Sequence, residues 1–292
     1  MGELKIGDTV ARKSYGGDVY FKIVDIKDVE GEKVITLQGI SYRIEADAPE
    51  TDLYVLTDKN LIEHNSRMAS MINKKCRDIQ QIHQYRGGLK KAVYRNTTPD
   101  NTRKFSRPGK ILHIDGDEDY LDTCLKQYRK FGLECTGIYI PENRQAEQIY
   151  DLLREHRPDI LVLTGHDGVI KGNGNYCNIE NYRNSMCFIE GVREARRYEP
   201  DIDSLVIFAG ACQSMYNLII KAGANYASSP YRVLIHALDP VFICQKVAFT
   251  GIGKTLGPSD VIKNTITGSE GIGGLETRGK YRVGFPVEPY NN

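Results

Sequence analysis

The sequence of 292 residues lacks the apolar segments that membrane insertion or export requires. The stretch MGELKIGDTV contains no apolar signal region, and no run approaches the roughly 20 apolar residues that span a bilayer. An excess of one charge is also missing, because 39 Lys and Arg residues balance 38 Asp and Glu residues. We therefore expect a soluble cytoplasmic protein that recognises its partners through local sites and binds neither nucleic acid nor a membrane.

A cysteine framework is absent as well. The seven cysteines are odd in number and scattered, with no CxxC motif and no pair of histidines at metal-ligand spacing. This pattern argues against a disulfide frame and against a zinc site. We expect reduced thiols and no metal or organic cofactor, and the open question is whether one thiol is reactive.

Three regions follow one another along the chain. Residues 1–56 alternate apolar and polar positions in short runs, which predicts a small all-β module of the size of an SH3-like barrel. Residues 57–107 show apolar residues at helical spacing up to Tyr85, where Arg86-Gly87-Gly88 ends the pattern. A polar, basic linker from Asn96 to Lys110 leads to residues 108–292, the largest region.

Residues 108–292 alternate apolar runs with helical patterns, which is typical of βαβ units and predicts a mostly parallel α/β sheet flanked by helices. Reactive groups in such sheets collect at the carboxyl ends of the strands. The predicted strands are 111–114, 133–140, 159–164, 204–208 and 231–236, and a helix is expected near 185–198.

Two of these strands end in the same way. ILVLTGHDG places His166 just beyond its last apolar residue, and LVIFAGACQS places Cys212 in the same relation to its own strand. Small residues precede both, and glycine there allows a sharp turn and a close approach of a substrate. A cysteine or a histidine alone at such a position is usually structural, but the matched pair favours a catalytic dyad.

The chemistry of this pair is that of a cysteine peptidase. His166 acts as the base for the thiol of Cys212 and then protonates the leaving amine. A helix predicted to begin near Ser214 points its amino end at Cys212 and favours the thiolate. The backbone N–H of Cys212, with one from Asp167 or Gly168, is expected to form the oxyanion hole.

Three aspartates are expected at the same edge of the sheet. Asp115 and Asp117 follow the first strand, and Asp239 follows the strand ending at His236. A helix amino-terminal cap for Asp117 and a turn role for Asp239 are each about as plausible as substrate binding. His236 is a weaker rival to His166 as the catalytic base.

These residues resemble the motifs of the caspase-like cysteine peptidases over roughly residues 108–250. The family pattern is an apolar block ending in His-Gly followed by an apolar block ending in Ala-Cys. Here Asp167 separates His166 from Gly168, and Ala211 stands where some relatives carry an acidic residue. The resemblance implies a caspase-like fold. It also implies a specificity pocket lined by the loop after the first strand and by the region after Cys212.

That pocket would be acidic here, because it maps onto Asp115, Asp117 and Asp239. We therefore expect cleavage after Arg or Lys, with Arg preferred for its bidentate geometry and Asp115 as the first choice of partner. Self-cleavage in the basic linker is a further hypothesis, motivated by Arg95, Arg103 and Lys104.

The segments KIGDTVARKSYGGDVYFKIVDI, ILHIDGDEDYLD, LVLTGHDG and FAGACQSMYNLIIKAGANYASSP are similar to a narrower family, the YabG sporulation-specific proteases of spore-forming Firmicutes. This similarity implies a peptidase of the mother-cell cytoplasm, associated with the spore coat, whose partners are spore coat and other sporulation proteins. The alternative is a catalytically inactive caspase-like scaffold or binding protein in coat assembly. The oligomeric state is left open.

Overall fold

A computed structural model describes residues 3–29, 32–94, 105–170 and 175–285. The amino-terminal region forms the all-β sheet that the sequence predicts, with five antiparallel strands in the order β4-β3-β2-β1-β5. Alternate side chains of these strands share one face and form a separate core of residues such as Phe21, Ile23, Ile35 and Leu37. The strands are β1 (Thr9–Arg12), β2 (Tyr20–Val29), β3 (Glu32–Gly39), β4 (Glu45–Pro49) and β5 (Leu53–Val55).

The long helix α1 follows this sheet and spans Asp58–Tyr94. The prediction that the helix ends near Tyr85 is wrong, because it continues through Gly87 and Gly88. A glycine costs a helix interior about 1 kcal/mol relative to alanine, and no proline follows to stop the run. Ile79 of this helix lies in the core on the α2 and α6 side of the main sheet, and Ile72 and Cys76 pack against the same core.

The remainder of the chain is a mixed α/β unit. Its strands are β6 (Phe105–Arg107), β7 (Ile111–Asp115), β8 (Cys135–Tyr139), β9 (Ile160–Thr164), β10 (Val206–Ala209), β11 (Tyr226–Ser228), β12 (Thr255–Leu256), β13 (Ile272–Gly274), β14 (Thr277–Arg278) and β15 (Arg282–Gly284). Its helices are α2 (Glu118–Lys130), α3 (Glu142–His156), α4 (Ser185–Tyr198), α5 (Tyr216–Ala222), α6 (Asp239–Ala248) and α7 (Pro258–Ile262).

The main sheet has the strand order β13-β11-β10-β9-β7-β8 and is parallel except for β13 at one edge. Apolar side chains cover both faces, as expected for parallel strands enclosed by helices. Leu161 and Leu163 of β9 pack with α3 and α4, whereas Ile160 and Val162 pack on the side of α2 and α6. All the parallel strands therefore deliver their carboxyl ends to one edge of the sheet, above a buried core.

Several predicted elements differ from the structure. Residues 231–236 do not form a strand of the sheet, and the strand in this part of the chain is β11. His236 instead makes an isolated antiparallel bridge with Tyr42 of the β3–β4 hairpin. Its backbone therefore pairs with the amino-terminal module and not with the main sheet. The helix expected near Ser214 begins at Tyr216, because the Ser214 hydroxyl accepts a hydrogen bond from the Ala211 N–H within the preceding turn.

The predicted linker is only partly described. Its end forms β6, which pairs antiparallel with β15 near the carboxyl terminus of the described chain. Arg95, Arg103 and Lys104, which motivated the self-cleavage hypothesis, lie outside the described residues. Within the described ranges, none of the helices combines the length and apolar character needed to cross a membrane.

Arg196, near the end of α4, makes several hydrogen bonds away from the carboxyl edge of the sheet. Its Nε lies 2.9 Å from the Gly223 carbonyl oxygen, its Nη1 lies 2.9 Å from that of Leu205, and its Nη2 lies 2.8 Å from Asn225 Oδ1. Gly223 and Asn225 follow α5, and Leu205 precedes β10. The guanidinium of Arg196 therefore links α4 to both of these segments.

Replacing Arg196 with Met should therefore lower the free energy of unfolding by about 2–4 kcal/mol, because buried acceptors lose their donors. Urea unfolding followed by circular dichroism measures the change. The matched control is Arg197→Met, since Arg197 is an exposed neighbour on the same helix that pairs with Glu194. Equal effects of the two substitutions would contradict this role of Arg196.

Candidate functional site

The carboxyl edge of the main sheet holds His166, two residues beyond β9. Its ring lies between two carboxylates, with Nε2 3.0 Å from Asp117 Oδ2 and Nδ1 3.4 Å from Glu142 Oε1. The backbone N–H of His166 also donates to Glu142 Oε1. The contact with Asp117 is an ion pair without hydrogen-bond geometry, since Nε2 makes no hydrogen bond that satisfies the angle.

This environment favours the charged form of the imidazole. Burial opposes protonation, but the contacts with Asp117 and Glu142 outweigh it and raise the pKa of His166 to about 9. His166 is therefore an imidazolium at neutral pH, held in place by two acids.

Asp117 has a second task at the beginning of α2. Its side chain accepts a hydrogen bond from the Tyr120 N–H at 2.8 Å, so the predicted amino-terminal cap is confirmed. It also accepts a hydrogen bond from Gln38 at the end of β3. Burial opposes its ionisation, yet the His166 contact and the cap bond lower the pKa of Asp117 below its ordinary value. The structure thus places Asp117 as a partner of His166.

Cys212 lies three residues beyond β10, which pairs in parallel with β9. Gly210 leads into this position with φ +109, and a Cβ there would lie 2.4 Å from Ser228 Oγ, so only glycine fits the turn. The thiol is fully buried, and its Sγ accepts a hydrogen bond from the Ile235 N–H at 3.2 Å. Burial raises the pKa of Cys212 to about 12, so the group is a neutral thiol in this state.

His166 and Cys212 lie just beyond two neighbouring parallel strands, β9 and β10. The polar contacts of the His166 ring are with carboxylates, and those of the Cys212 thiol are with the backbone of Ile235. Tyr120 lies beside both groups. Its ring centroid is 5.7 Å from that of His166, and burial, with the charge of Asp117, raises the pKa of Tyr120.

The predicted oxyanion donors have partners in this structure. The Gly168 N–H donates to Asp167 Oδ1 at 2.8 Å, and the same carboxylate accepts hydrogen bonds from Asn184, Ser185 and Ser214. Asp167 thereby organises the loop that follows β9. The Cys212 N–H donates to the carbonyl oxygen of Arg43 at 3.4 Å.

Asp115 holds a partner that the sequence did not suggest. Its Oδ2 lies 2.7 Å from Nη1 of Arg43, and both side chains are fully buried. His113 Nε2 lies 3.3 Å from the same oxygen. Burial opposes ionisation of Asp115, but the charge of Arg43 outweighs it and holds the pKa of Asp115 well below its ordinary value. The site therefore already contains a carboxylate–guanidinium pair.

Asp239 and His236 are committed to local structure. Asp239 accepts hydrogen bonds from the N–H groups of His236 and Ile266 and from the backbone and hydroxyl of Thr267. His236 Nδ1 accepts a hydrogen bond from the Leu238 N–H, and burial lowers the pKa of His236 to about 4. Asp239 thus has the turn role that the sequence left open beside substrate binding.

Two functional candidates were missed in the sequence. Glu142 opens α3 directly after β8, and its position at the carboxyl end of a predicted strand was a usable signal. Arg43 carried no such signal, because it belongs to the amino-terminal β module and reaches the edge only through tertiary packing. Its contacts therefore depend on the docking of the two sheets.

A cleft of about 1010 Å³ opens beside the edge, between the β module and the α/β unit. Gly168 and Gln213 line it from the α/β side, and Ile44–Asp47 line it from the module. In the described part of the chain, no group of three or more His, Cys, Asp or Glu side chains is arranged to hold a metal ion. Gln213 follows Cys212 in the chain, so the cleft reaches the neighbourhood of the buried thiol.

Comparison with known proteins places this arrangement in a family. The model of the family described as YabG peptidase U57 matches residues 5–286. The chain is also 42% identical over 290 residues to the sporulation-specific protease YabG of Bacillus subtilis (strain 168), covering 98% of this chain and 99% of that protein. Because the match runs through the β module, the sheet and its functional edge alike, the chain belongs to the YabG peptidase family.

Proposed function

We propose that the protein is a cysteine endopeptidase with Cys212 as nucleophile and His166 as its acid–base partner, cleaving after Arg. One observation carries this proposal. The Cys212 N–H donates to the carbonyl oxygen of Arg43, and Asp115 binds the guanidinium of the same residue. A peptide with Arg before the cut would make the same two contacts. A caspase-like arrangement of the parallel sheet is part of the same proposal.

The catalytic step requires a thiolate at Cys212 and an imidazolium at His166. The carboxylates of Asp117 and Glu142 stabilise the imidazolium, which in turn favours loss of the thiol proton once solvent reaches the site. The Cys212 N–H then holds the oxyanion of the tetrahedral intermediate. The Gly168 N–H, which now donates to the Asp167 carboxylate, would then leave that carboxylate and donate to the oxyanion as well.

Membership of the family supports a proposal about the physiological substrates. The printed name of the Bacillus subtilis relative describes a sporulation-specific protease. We extend that role to this chain, with spore coat and other sporulation proteins as substrates and with the mother-cell cytoplasm and the coat as the place of action. The amino-terminal sheet would serve as a docking module for them.

The complete burial of Cys212 favours one alternative, an inactive scaffold of the spore coat. A scaffold would keep the thiol enclosed under all conditions and would cut no peptide. The two functions are therefore separated by whether Cys212 supports hydrolysis.

Replacing Cys212 with Ala should abolish peptide hydrolysis and leave the fold intact, because alanine fits the same position. His166→Ala should cost about as much, on the order of 10³-fold in kcat/KM, since each member of a coupled dyad needs the other. Cleavage of a denatured protein, analysed by mass spectrometry, gives the rates. Cys177→Ala is the control because Cys177 is exposed. Full activity of the Cys212→Ala protein would rule out this nucleophile.

Specificity is expected to favour Arg before the cut by about 10²-fold or more over neutral residues. A neutral substrate residue leaves the buried carboxylate of Asp115 without a cation. This costs about 3 kcal/mol, which corresponds to that ratio. Lys should be accepted less well, since it lacks a bidentate guanidinium. A peptide library varied at this one position measures the preference. Preferred cleavage after Asp, Asn or bulky apolar residues would overturn the role of Asp115.

Asp117→Asn should lower the pKa of His166 from about 9 towards its ordinary value, because the imidazolium loses one of two carboxylates. Asparagine remains a good helix cap, so α2 should stay formed. NMR titration of the His166 ring measures the shift, and the alkaline limit of kcat/KM should move to lower pH with it. Asp119→Asn is the control, since Asp119 is an exposed acid of the same helical turn. An unchanged His166 pKa would contradict the role of Asp117.

A further inference from the structure

We propose that the peptide bond between Arg43 and Ile44 is a self-cleavage site, and that the β3–β4 hairpin occupies the active site as an intramolecular substrate. This inference rests on the proposed function, because it requires the Cys212 nucleophile. It assigns the first substrate of the enzyme to its own chain.

The main chain before Arg43 is bound as an added strand. The Arg43 N–H donates to the Ile235 carbonyl at 3.2 Å, and the Ala237 N–H donates to the Ser41 carbonyl at 3.0 Å. Tyr42, between them, forms the antiparallel bridge with His236. Peptide ligands are commonly held in this way, by backbone hydrogen bonds to an exposed edge. Residues 231–236 fail to join the sheet and instead form that edge.

The side chain of Arg43 fills a closed pocket. Besides the 2.7 Å contact with Asp115, its Nη2 lies 3.2 Å from the Ala237 carbonyl oxygen and 3.3 Å from Cys124 Sγ. The Tyr120 ring covers it, with the guanidinium carbon 5.1 Å from the ring centroid. The pocket therefore fits a side chain with the charge and the length of arginine.

The carbonyl of Arg43 is placed for attack. Its oxygen accepts a hydrogen bond from the Cys212 N–H, which is the donor expected to hold the oxyanion. Beyond it, Ile44, Glu45, Ala46 and Asp47 line the cleft opposite Gly168 and Gln213. The chain therefore enters the site along Ile235–Ala237, passes Cys212 at Arg43 and leaves through the cleft.

A simple anchor for the β module would not need this arrangement. Burying a charge pair costs desolvation energy that an apolar contact avoids, so a buried salt bridge alone is weak as a docking device. A residue that only anchored the module would also not need its carbonyl oxygen to accept a hydrogen bond from the Cys212 N–H. The side chain, N–H and C=O of Arg43 together reproduce the contacts of a bound substrate.

The reaction consumes one water. Solvent that reaches the site first takes the proton of the Cys212 thiol, because His166 is already protonated. The thiolate then adds to the Arg43 carbonyl carbon, the bond to the Ile44 nitrogen breaks, and His166 gives its proton to that nitrogen. The resulting thioester is then attacked by water, whose proton passes to His166 as the thiolate leaves. The products are an Arg43 carboxylate and an Ile44 amino group.

The cut chain should stay assembled. The order β4-β3-β2-β1-β5 leaves β1, β2 and β3 on one fragment and the two outer strands, β4 and β5, on the other. Hydrogen bonds therefore hold both fragments in one sheet, while the new end at Arg43 is free to leave the pocket. Departure of this segment would open Cys212 to other substrates.

The experiment follows the purified full chain over time by intact mass and amino-terminal sequencing. Wild-type protein should split into two fragments under denaturing conditions, with a new amino terminus at Ile44, and should remain one species in native gel filtration. The rate should not depend on protein concentration, because the cut is intramolecular. Labelling of Cys212 by iodoacetamide should become faster as the cut proceeds.

Two variants sharpen the result. Cys212→Ala should remain uncut, and Arg43→Lys, which keeps the charge, should be cut at the same bond about tenfold more slowly. Arg197→Lys is the matched control, because Arg197 is exposed on α4 and pairs with Glu194 away from the cleft. Its cleavage should match that of the wild type.

A peptide containing one Arg serves as a separate substrate for the same preparations. If wild-type protein cuts this peptide but never its own Arg43–Ile44 bond, self-cleavage is overturned and the peptidase function stands. A cut at another position, or a rate that rises with concentration, also overturns it. If neither the peptide nor the chain is cut, the proposed function falls together with the inference.

Discussion

The arrangement of the functional edge depends on the buried ion pair between Arg43 and Asp115. Removing one partner of such a pair leaves an uncompensated charge in the interior and costs about 3–5 kcal/mol. The pair crosses the boundary between the antiparallel sheet and the parallel sheet, with neither side chain exposed to solvent. Together with the backbone contacts of Ile235, Ala237 and Cys212, it determines where the β3–β4 hairpin lies.

The acids of the edge are divided among different partners. Asp115 faces Arg43, whereas Asp117 and Glu142 face His166. Asp167 and Asp239 are each saturated by hydrogen bonds from their own loops. This division explains how several carboxylates lie close together with little mutual repulsion, because each has a cation or a set of N–H and O–H donors beside it.

The ionisation states of His166 and Cys212 have different physical causes. With the hairpin in place, Cys212 is a buried thiol whose pKa is raised, while His166 is already an imidazolium. Desolvation maintains the thiol, and two carboxylates maintain the imidazolium. In the proposed mechanism, solvent access to Cys212 therefore separates the resting site from the reactive one, since the charge of His166 is present beforehand.

Sequence alone determined the elements whose signal is local. Period-two alternation gave the amino-terminal sheet, and alternating apolar and helical patterns gave a mostly parallel sheet with His166 and Cys212 just beyond two of its strands. The structure then showed that these strands, β9 and β10, are neighbours. Asp117 was recognisable as a helix cap from its place before α2. Local signals failed at the end of α1, where two glycines did not stop the helix, and at residues 231–236, where an apolar run pairs with the hairpin. Only the tertiary structure decided that Asp115 pairs with Arg43 and that Glu142 joins His166. Both contacts bring together residues far apart in the chain. The packing of the two sheets sets the Arg43–Asp115 contact, and the order of β8, β7 and β9 in the main sheet sets the Glu142–His166 contact.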